Sequence, residues 1–249
     1  MESQTITYLL AAAIVASASV VQGIAGFAFG LICIPFLSIL FSPHQAVGIN
    51  FIIGSVNVLV ILTMLIRKFS LRRMAGWTAL SMLCAIPSTF LITSIDRPTA
   101  LFFIGASIFL VATWSMSVRR SRSTLLRHPA IGYGASMLSG FLMGAFSLAG
   151  PPMLLFLSNS GLSQDELKAD VQFYFLALSL FILPFYLHNG VLTPESARIG
   201  LALSPVVVPF TALGVMLGRR IPQRHFILIV HLGLIILGIY LAVKNATVF

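Results

Sequence analysis

The sequence predicts an all-α polytopic membrane protein made of two inverted repeats. Each repeat has a Gly/Pro-broken helical hairpin, re-entrant or short-crossing, and three transmembrane helices. Three observations lead to this prediction: an apolar composition, a recurring Gly/Pro pattern and an uneven distribution of basic residues. Only 8% of the 249 residues are charged and 58% are hydrophobic, whereas a soluble domain has about 25% charged residues. So few charges cannot cover a water-facing surface.

Eight apolar stretches divide the chain, and most are close to the ~20 residues that a helix needs to cross a bilayer. They are 8–41, 46–66, 74–94, 98–117, 130–157, 168–187, 196–217 and 225–243. The first and fifth are long for a single span and contain glycines and prolines. Splitting them at the glycines leaves arms of about 14–18 residues, which are shorter as helices than the ~30 Å hydrocarbon core. We therefore expect two broken hairpins whose arms meet near the middle of the membrane.

The broken segments recur, which indicates an internal duplication. GIAGFAFGLICIP (23–35) aligns with GFLMGAFSLAGPP (140–152), with Gly23 over Gly140. Farther along, an offset of 122 residues places Asn50 over Gln172, Asn57 over Ser179 and Pro87 over Pro209. Several landmarks in one order predict a single membrane transport domain, 1–249, with repeats 1–124 and 125–249.

The basic residues predict the orientation of the repeats. Segments 67–73, 118–128 and 219–224 are rich in Lys and Arg, whereas 189–195, the counterpart of 67–73, has neither. Cytoplasmic loops carry such an excess of positive charge. Equivalent loops then lie on opposite sides of the membrane, as in an inverted repeat.

The membrane crossings close only if each broken stretch enters and leaves on the same side. Both termini are then outside, and 158–170 is cytoplasmic although it contains acids. The alternative is four plain spans in each half, with the two halves in parallel orientation.

Glycines and polar residues within the spans mark a candidate substrate site. If the glycines unwind the helices, free backbone N–H groups and helix N-termini face a cavity and can hold an anion. In the alternative, the glycines only let helices pack closely. The predicted substrate-binding residues are Gln22, Gly23, Gly26, Asn50, Asn57, Gly140, Gly144, Ser147, Gln172 and Ser179.

Two of these predictions have structural alternatives. Asn50 and Gln172 could line the site on symmetry-related helix faces, or they could be interhelical hydrogen-bonding residues. Asp170 could couple transport to protons, or it could cap the start of a helix.

Other classes of function find little support in the sequence. There is no HExxH motif, paired-acid motif or Cys/His cluster, so we expect neither an enzyme nor a metal or other cofactor. The excess of basic residues is explained by the membrane loops, so no nucleic-acid partner is expected. The residues favour a carrier that operates by alternating access, and the alternatives are an anion channel and a permease for a different small organic anion.

The order of motifs resembles the TauE/SafE sulfite exporter family of bacterial permeases. GIAGFAFGLICIPFL is followed by SPHQAVGIN and RKFSLRR, and the second half returns with SGFLMGAFSLAGPPMLLFL. The second hairpin has Ser147 and Ala149 where the family commonly has glycines. The resemblance implies a multi-pass protein of the bacterial inner membrane, in contact with lipid. It further implies secondary transport of sulfite, sulfoacetate or a related organosulfonate, and leaves open ion coupling and a homodimer.

Overall fold

The computed structural model describes residues 2–120, 128–148, 150–158, 160–218, 220 and 223–246, and this part of the chain is helical throughout. Its α-helices are α1 Glu2–Ala25, α2 Phe29–Leu40, α3 Pro43–Leu65, α4 Leu71–Ser88, α5 Leu91–Ser94, α6 Arg97–Arg120, α7 Pro129–Phe146, α8 Gly150–Ser158, α9 Gln164–His188, α10 Pro194–Gly218 and α11 Gln223–Asn245. A short 3₁₀ turn, Ile66–Lys68, follows α3. The predicted all-α membrane fold is confirmed.

Seven helical segments of the described chain are long and apolar enough to cross a membrane. They are 5–25, 43–68, 71–94, 97–114, 164–188, 194–218 and 228–245. The expectation of two short arms in the first hairpin is wrong, because α1 has 24 residues and is about 36 Å long. Only its second arm, α2, is short, with 12 residues. In the second hairpin the arms have 18 and 9 residues.

The long helices pack in pairs that the proposed duplication relates to one another. α1 lies along α10, and α7, which the duplication equates with α1, lies along α4; α6 lies along α11, and α3 along α9. Glycines sit in these contacts: a Cβ on Gly23 would lie 2.6 Å from the Thr211 carbonyl oxygen, and one on Gly144 would lie 2.2 Å from that of Ala85. Such close backbone approach is what small residues allow between membrane helices. This pairing is compatible with an inverted repeat.

Both hairpins break at residues with left-handed backbone conformation. Gly26 has φ 81° and Ala28 has φ 87° between α1 and α2, and Ser147 has φ 55° after α7. The first left-handed residue is therefore Gly26 in the first break and Ser147 in the second, and these two residues are 121 positions apart. That separation is close to the offset of 122 found for the later landmarks. Gly23 thus corresponds to Gly144 in the structure, instead of to Gly140 as the local sequence alignment suggested.

Helix α9 begins earlier than its apolar stretch indicated. Ser163 caps it, and Ser163 and Glu166 exchange the hydrogen bonds of a capping box. Asp170 therefore lies within the helix and is not its cap. In the loop that precedes α6, the Thr99 hydroxyl donates to Asp96 and lowers the pKa of that carboxyl. Residues 121–127, 219, 221 and 222 of the predicted basic loops lie outside the described residues.

Candidate functional site

A pocket lies where the two breaks approach each other, with α3 and α9 completing its walls. It encloses about 520 Å³ of space, counting the open solvent at its mouth. The described residues that line it are Gln22, Ala28, Phe29, Gly30, Leu31, Asn50, Phe51, Gly54, Ser55, Val58, Met143, Ser147, Leu148, Phe175 and Ser179. Four of the ten predicted site residues are therefore at this pocket: Gln22, Asn50, Ser147 and Ser179.

The N-terminus of α2 supplies backbone donors to the pocket wall. Gln22, on α1, accepts a hydrogen bond from the Phe29 N–H at 3.0 Å, and so satisfies one donor of the first turn. The next two N–H groups, on Gly30 and Leu31, have no backbone acceptor in the described chain, as is usual at the start of a helix. Both residues line the pocket. The partial positive charge of a helix N-terminus lies at the same place.

Ser179 adds a side-chain donor from α9. Its residue surface is only 7% exposed, and its hydroxyl makes no hydrogen bond in the described chain, although it lines the pocket. A ligand oxygen in the pocket would give this hydroxyl the acceptor that it lacks.

Two amide side chains form hydrogen bonds to the breaks, each to the break of the opposite repeat. Asn50, in the first repeat, donates from Nδ2 to the carbonyl oxygen and to Oγ of Ser147, each at 3.3 Å. Gln172, in the second repeat, donates from Nε2 to the carbonyl oxygen of Gly26 at 2.9 Å. Each amide therefore holds the left-handed residue of the opposite repeat. The interhelical role considered for these two residues is present, and Asn50 also lines the pocket.

The second break offers fewer donors than the first. Its helix α8 starts Gly150-Pro151-Pro152, and proline has no N–H. The next N–H, on Met153, donates to the Ser139 hydroxyl at 3.2 Å. The pocket is consequently asymmetric, with backbone donors on the first break and the Ser147 side chain on the second.

The C-terminal carbonyls beside each break are satisfied from α9. Lys168 is buried and donates from Nζ to the carbonyl oxygens of Gly23 and Ile24, at 3.2 and 2.8 Å. A cation at this position stabilises the negative end of the helix dipole of α1. At the end of α7, the Tyr186 hydroxyl lies 2.7 Å from the Met143 carbonyl oxygen and 3.0 Å from that of Gly144.

Asp170 is buried away from the pocket lining and forms an ion pair with a partly exposed arginine. It pairs with Arg73 and accepts a hydrogen bond from the Ser70 N–H at 2.8 Å. The contact ties α9 to the basic turn that precedes α4.

The remaining predicted residues lie around the pocket without lining it. Gly23, Gly140 and Gly144 occupy helix contacts, Gly26 forms the break itself, and Gln172 holds the break. Asn57 donates from Nδ2 to the Thr211 hydroxyl at 2.8 Å and so joins α3 to α10.

Sequence reasoning missed Lys168 and the donors on Gly30 and Leu31. The sequence prediction puts Lys168 in the loop 158–170. Lys168 and Gln172, four residues apart, are therefore not recognised as side chains on one face of a helix. That spacing is the signal that would have found it. The N–H groups of Gly30 and Leu31 could be located only once the start of α2 was known. Among the described residues, no group of three or more His, Cys, Asp or Glu could hold a metal ion.

Comparison with known proteins gives one match. The family model described as Sulfite exporter TauE/SafE matches residues 9–241, nearly the whole chain. No curated protein and no solved structure matches.

Proposed function

Because the chain belongs to the TauE/SafE sulfite exporter family, a family of membrane transporters, we propose that it carries a small sulfur-containing oxyanion across the bacterial inner membrane. The observation that supports this most directly is the pocket between the two breaks. It combines backbone N–H groups at a helix N-terminus with the hydroxyl of Ser179, and none of these donors has a hydrogen-bond partner among the described residues. Such donors suit the oxygens of sulfite or of a sulfonate.

Alternating access is the proposed mechanism. The anion binds against Gly30, Leu31 and Ser179, and the two repeats then rock so that the pocket opens to the other side. The reciprocal contacts of Asn50 and Gln172 transmit the movement, since each joins one repeat to the break of the other. The interfaces between α1 and α10 and between α4 and α7 (the α1–α10 and α4–α7 seams) are the surfaces along which the repeats move.

Uptake of radiolabelled sulfite into proteoliposomes tests the transport function. The unmodified protein is expected to take up the anion, and Asn50→Ala and Gln172→Ala, made separately, are each expected to weaken uptake while the protein still inserts. Unchanged uptake in both variants would remove these amides from the mechanism. No uptake of sulfite or of any sulfonate by the unmodified protein would refute the proposed function.

Counterflow distinguishes a carrier from the alternative, a channel. A carrier preloaded with unlabelled anion accumulates labelled anion faster than an empty vesicle does, because the loaded form reorients with substrate in both directions. A channel shows no such stimulation. We expect stimulation here.

A further inference from the structure

We propose that the pocket takes singly charged oxyanions and rejects dianions. The proposal rests on the proposed function and specifies the charge state of its substrate. Hydrogen sulfite and sulfonates with one net charge are then substrates, whereas the sulfite dianion and sulfate are not.

The first support is the absence of cationic side chains from the pocket wall. None of the described residues that line it is Lys, Arg or His. The buried lysine nearest along α9, Lys168, directs its Nζ to the carbonyl oxygens of Gly23 and Ile24. Arg73 is paired with Asp170. Lys168 and Arg73 thus bring positive charge close to the breaks. That charge is already paired, with the C-terminal carbonyls of α1 and with the Asp170 carboxylate.

The second support is the size of the positive potential that the wall does supply. One helix N-terminus, that of α2, contributes roughly half an elementary charge. Gly30 and Leu31 present N–H groups there, and Ser179 and Ser147 can each donate one hydroxyl proton. Ser179 is more than nine-tenths buried and has no partner of its own. This set can balance about one negative charge.

The cost of moving an ion from water into such a wall decides between the two charge states. In the Born description this cost rises with the square of the charge, so a dianion loses about four times as much hydration free energy as a monoanion of the same size. Without a fixed cation, the donors of the pocket do not recover the difference. Selection therefore follows from charge, although the two species have nearly the same shape.

Two probes of matched shape test the proposal on the purified full-length protein. Methanesulfonate keeps one charge at all accessible pH values, whereas methylphosphonate passes from one charge to two as the pH rises. Binding is measured by calorimetry from mildly acidic to mildly basic pH, with gluconate as the background anion. We expect methanesulfonate affinity to stay level, while methylphosphonate affinity falls about tenfold per pH unit above its second ionisation.

Three outcomes are distinguishable. Level methanesulfonate binding with falling methylphosphonate binding supports the proposal. Methylphosphonate binding that holds or strengthens as the second charge appears overturns it, while the proposed transport function stands. If neither these probes nor sulfite binds at any pH, the proposed function fails and the charge selection fails with it.

Variants at Ser179 locate the effect in the pocket. Ser179→Ala should weaken methanesulfonate binding about tenfold, because a hydrogen bond to a charged group is lost. Ser179→Lys should let the methylphosphonate dianion bind, since it brings a cation to the wall. Ser94→Ala, at an exposed position of α5, is the control and should leave both affinities unchanged. An effect of Ser94→Ala equal to that of Ser179→Ala would place the binding elsewhere and contradict the proposal.

Discussion

Ala28 has a backbone conformation that a residue with a Cβ atom disfavours. Its φ of 87° is in the left-handed region, which costs a residue with a Cβ about 1–2 kcal/mol. The residue lies at the pocket between α1 and α2. Strain of this kind is held in place by the surrounding structure and is frequent at functional sites.

Relief of this strain gives the first prediction. Ala28→Gly should raise the free energy of unfolding by about 0.5–1 kcal/mol, because glycine adopts this φ freely. Thermal unfolding of the detergent-purified protein measures the change. The control, Ala13→Gly at an exposed position inside α1, should instead lower stability by about 1 kcal/mol. Equal losses in the two variants would show that Ala28 is not strained.

Lys168 gives a second prediction at the scale of the residue. Lys168→Met keeps much of the apolar stem but removes the donor to the Gly23 and Ile24 carbonyl oxygens. Since these carbonyls would remain buried, the variant should lose about 2 kcal/mol of unfolding free energy. Lys68→Met, at an exposed position, is the matched control. If both variants melt at the same temperature, the lysine does not hold the end of α1.

At the scale of the element, two glycines of α7 show whether a glycine is there for close helix packing or for backbone freedom. Gly144 faces α4, where an added Cβ would lie 2.2 Å from the Ala85 carbonyl oxygen, whereas a Cβ on Gly134 would meet nothing within 4 Å. Both glycines lie within the helix. The role of Gly144 is therefore close approach to α4, and the break comes three residues later, at Ser147.

The third prediction uses this pair. Gly144→Ala should destabilise the protein by about 1–3 kcal/mol, because the α4–α7 seam must open to admit the methyl group. Gly134→Ala should be neutral or stabilising, since alanine favours a helix. Chemical unfolding followed by far-UV circular dichroism compares the two. A Gly134→Ala loss as large as that of Gly144→Ala would contradict the packing role.

At the scale of the whole molecule, the sequence predicted the helical membrane fold, the two broken hairpins and four of the five polar side chains that line the described pocket. Gln22, Asn50, Ser147 and Ser179 could be found because polar residues are rare within apolar spans. The distinction between a glycine that packs and a glycine that unwinds could not be made, because it depends on which helix lies opposite. Gly23 faces α10, from the other end of the chain. The length of α1 differs from the prediction because the helix begins at Glu2, before the apolar stretch starts at residue 8.

The inverted arrangement that the basic loops predict for the two repeats leads to the fourth prediction. In a background without Cys33 and Cys84, Lys68→Cys and Pro194→Cys each introduce one exposed thiol. A membrane-impermeant reagent should label Lys68→Cys from the cytoplasmic side and Pro194→Cys from the opposite side, as the positive-inside rule requires. Labelling of both from one side would refute the inverted repeat.

Protection of the pocket by substrate tests the central proposal, that the anion binds between the two breaks. In the same cysteine-free background, Ser179→Cys places one thiol in the pocket wall and Ser94→Cys places one on α5. Methanesulfonate, which does not react with thiols, is added while the rate of modification by a small maleimide is followed. The account predicts that the anion slows modification of Ser179→Cys and leaves Ser94→Cys unaffected. An unchanged rate at Ser179→Cys, under conditions in which the anion is transported, would contradict it.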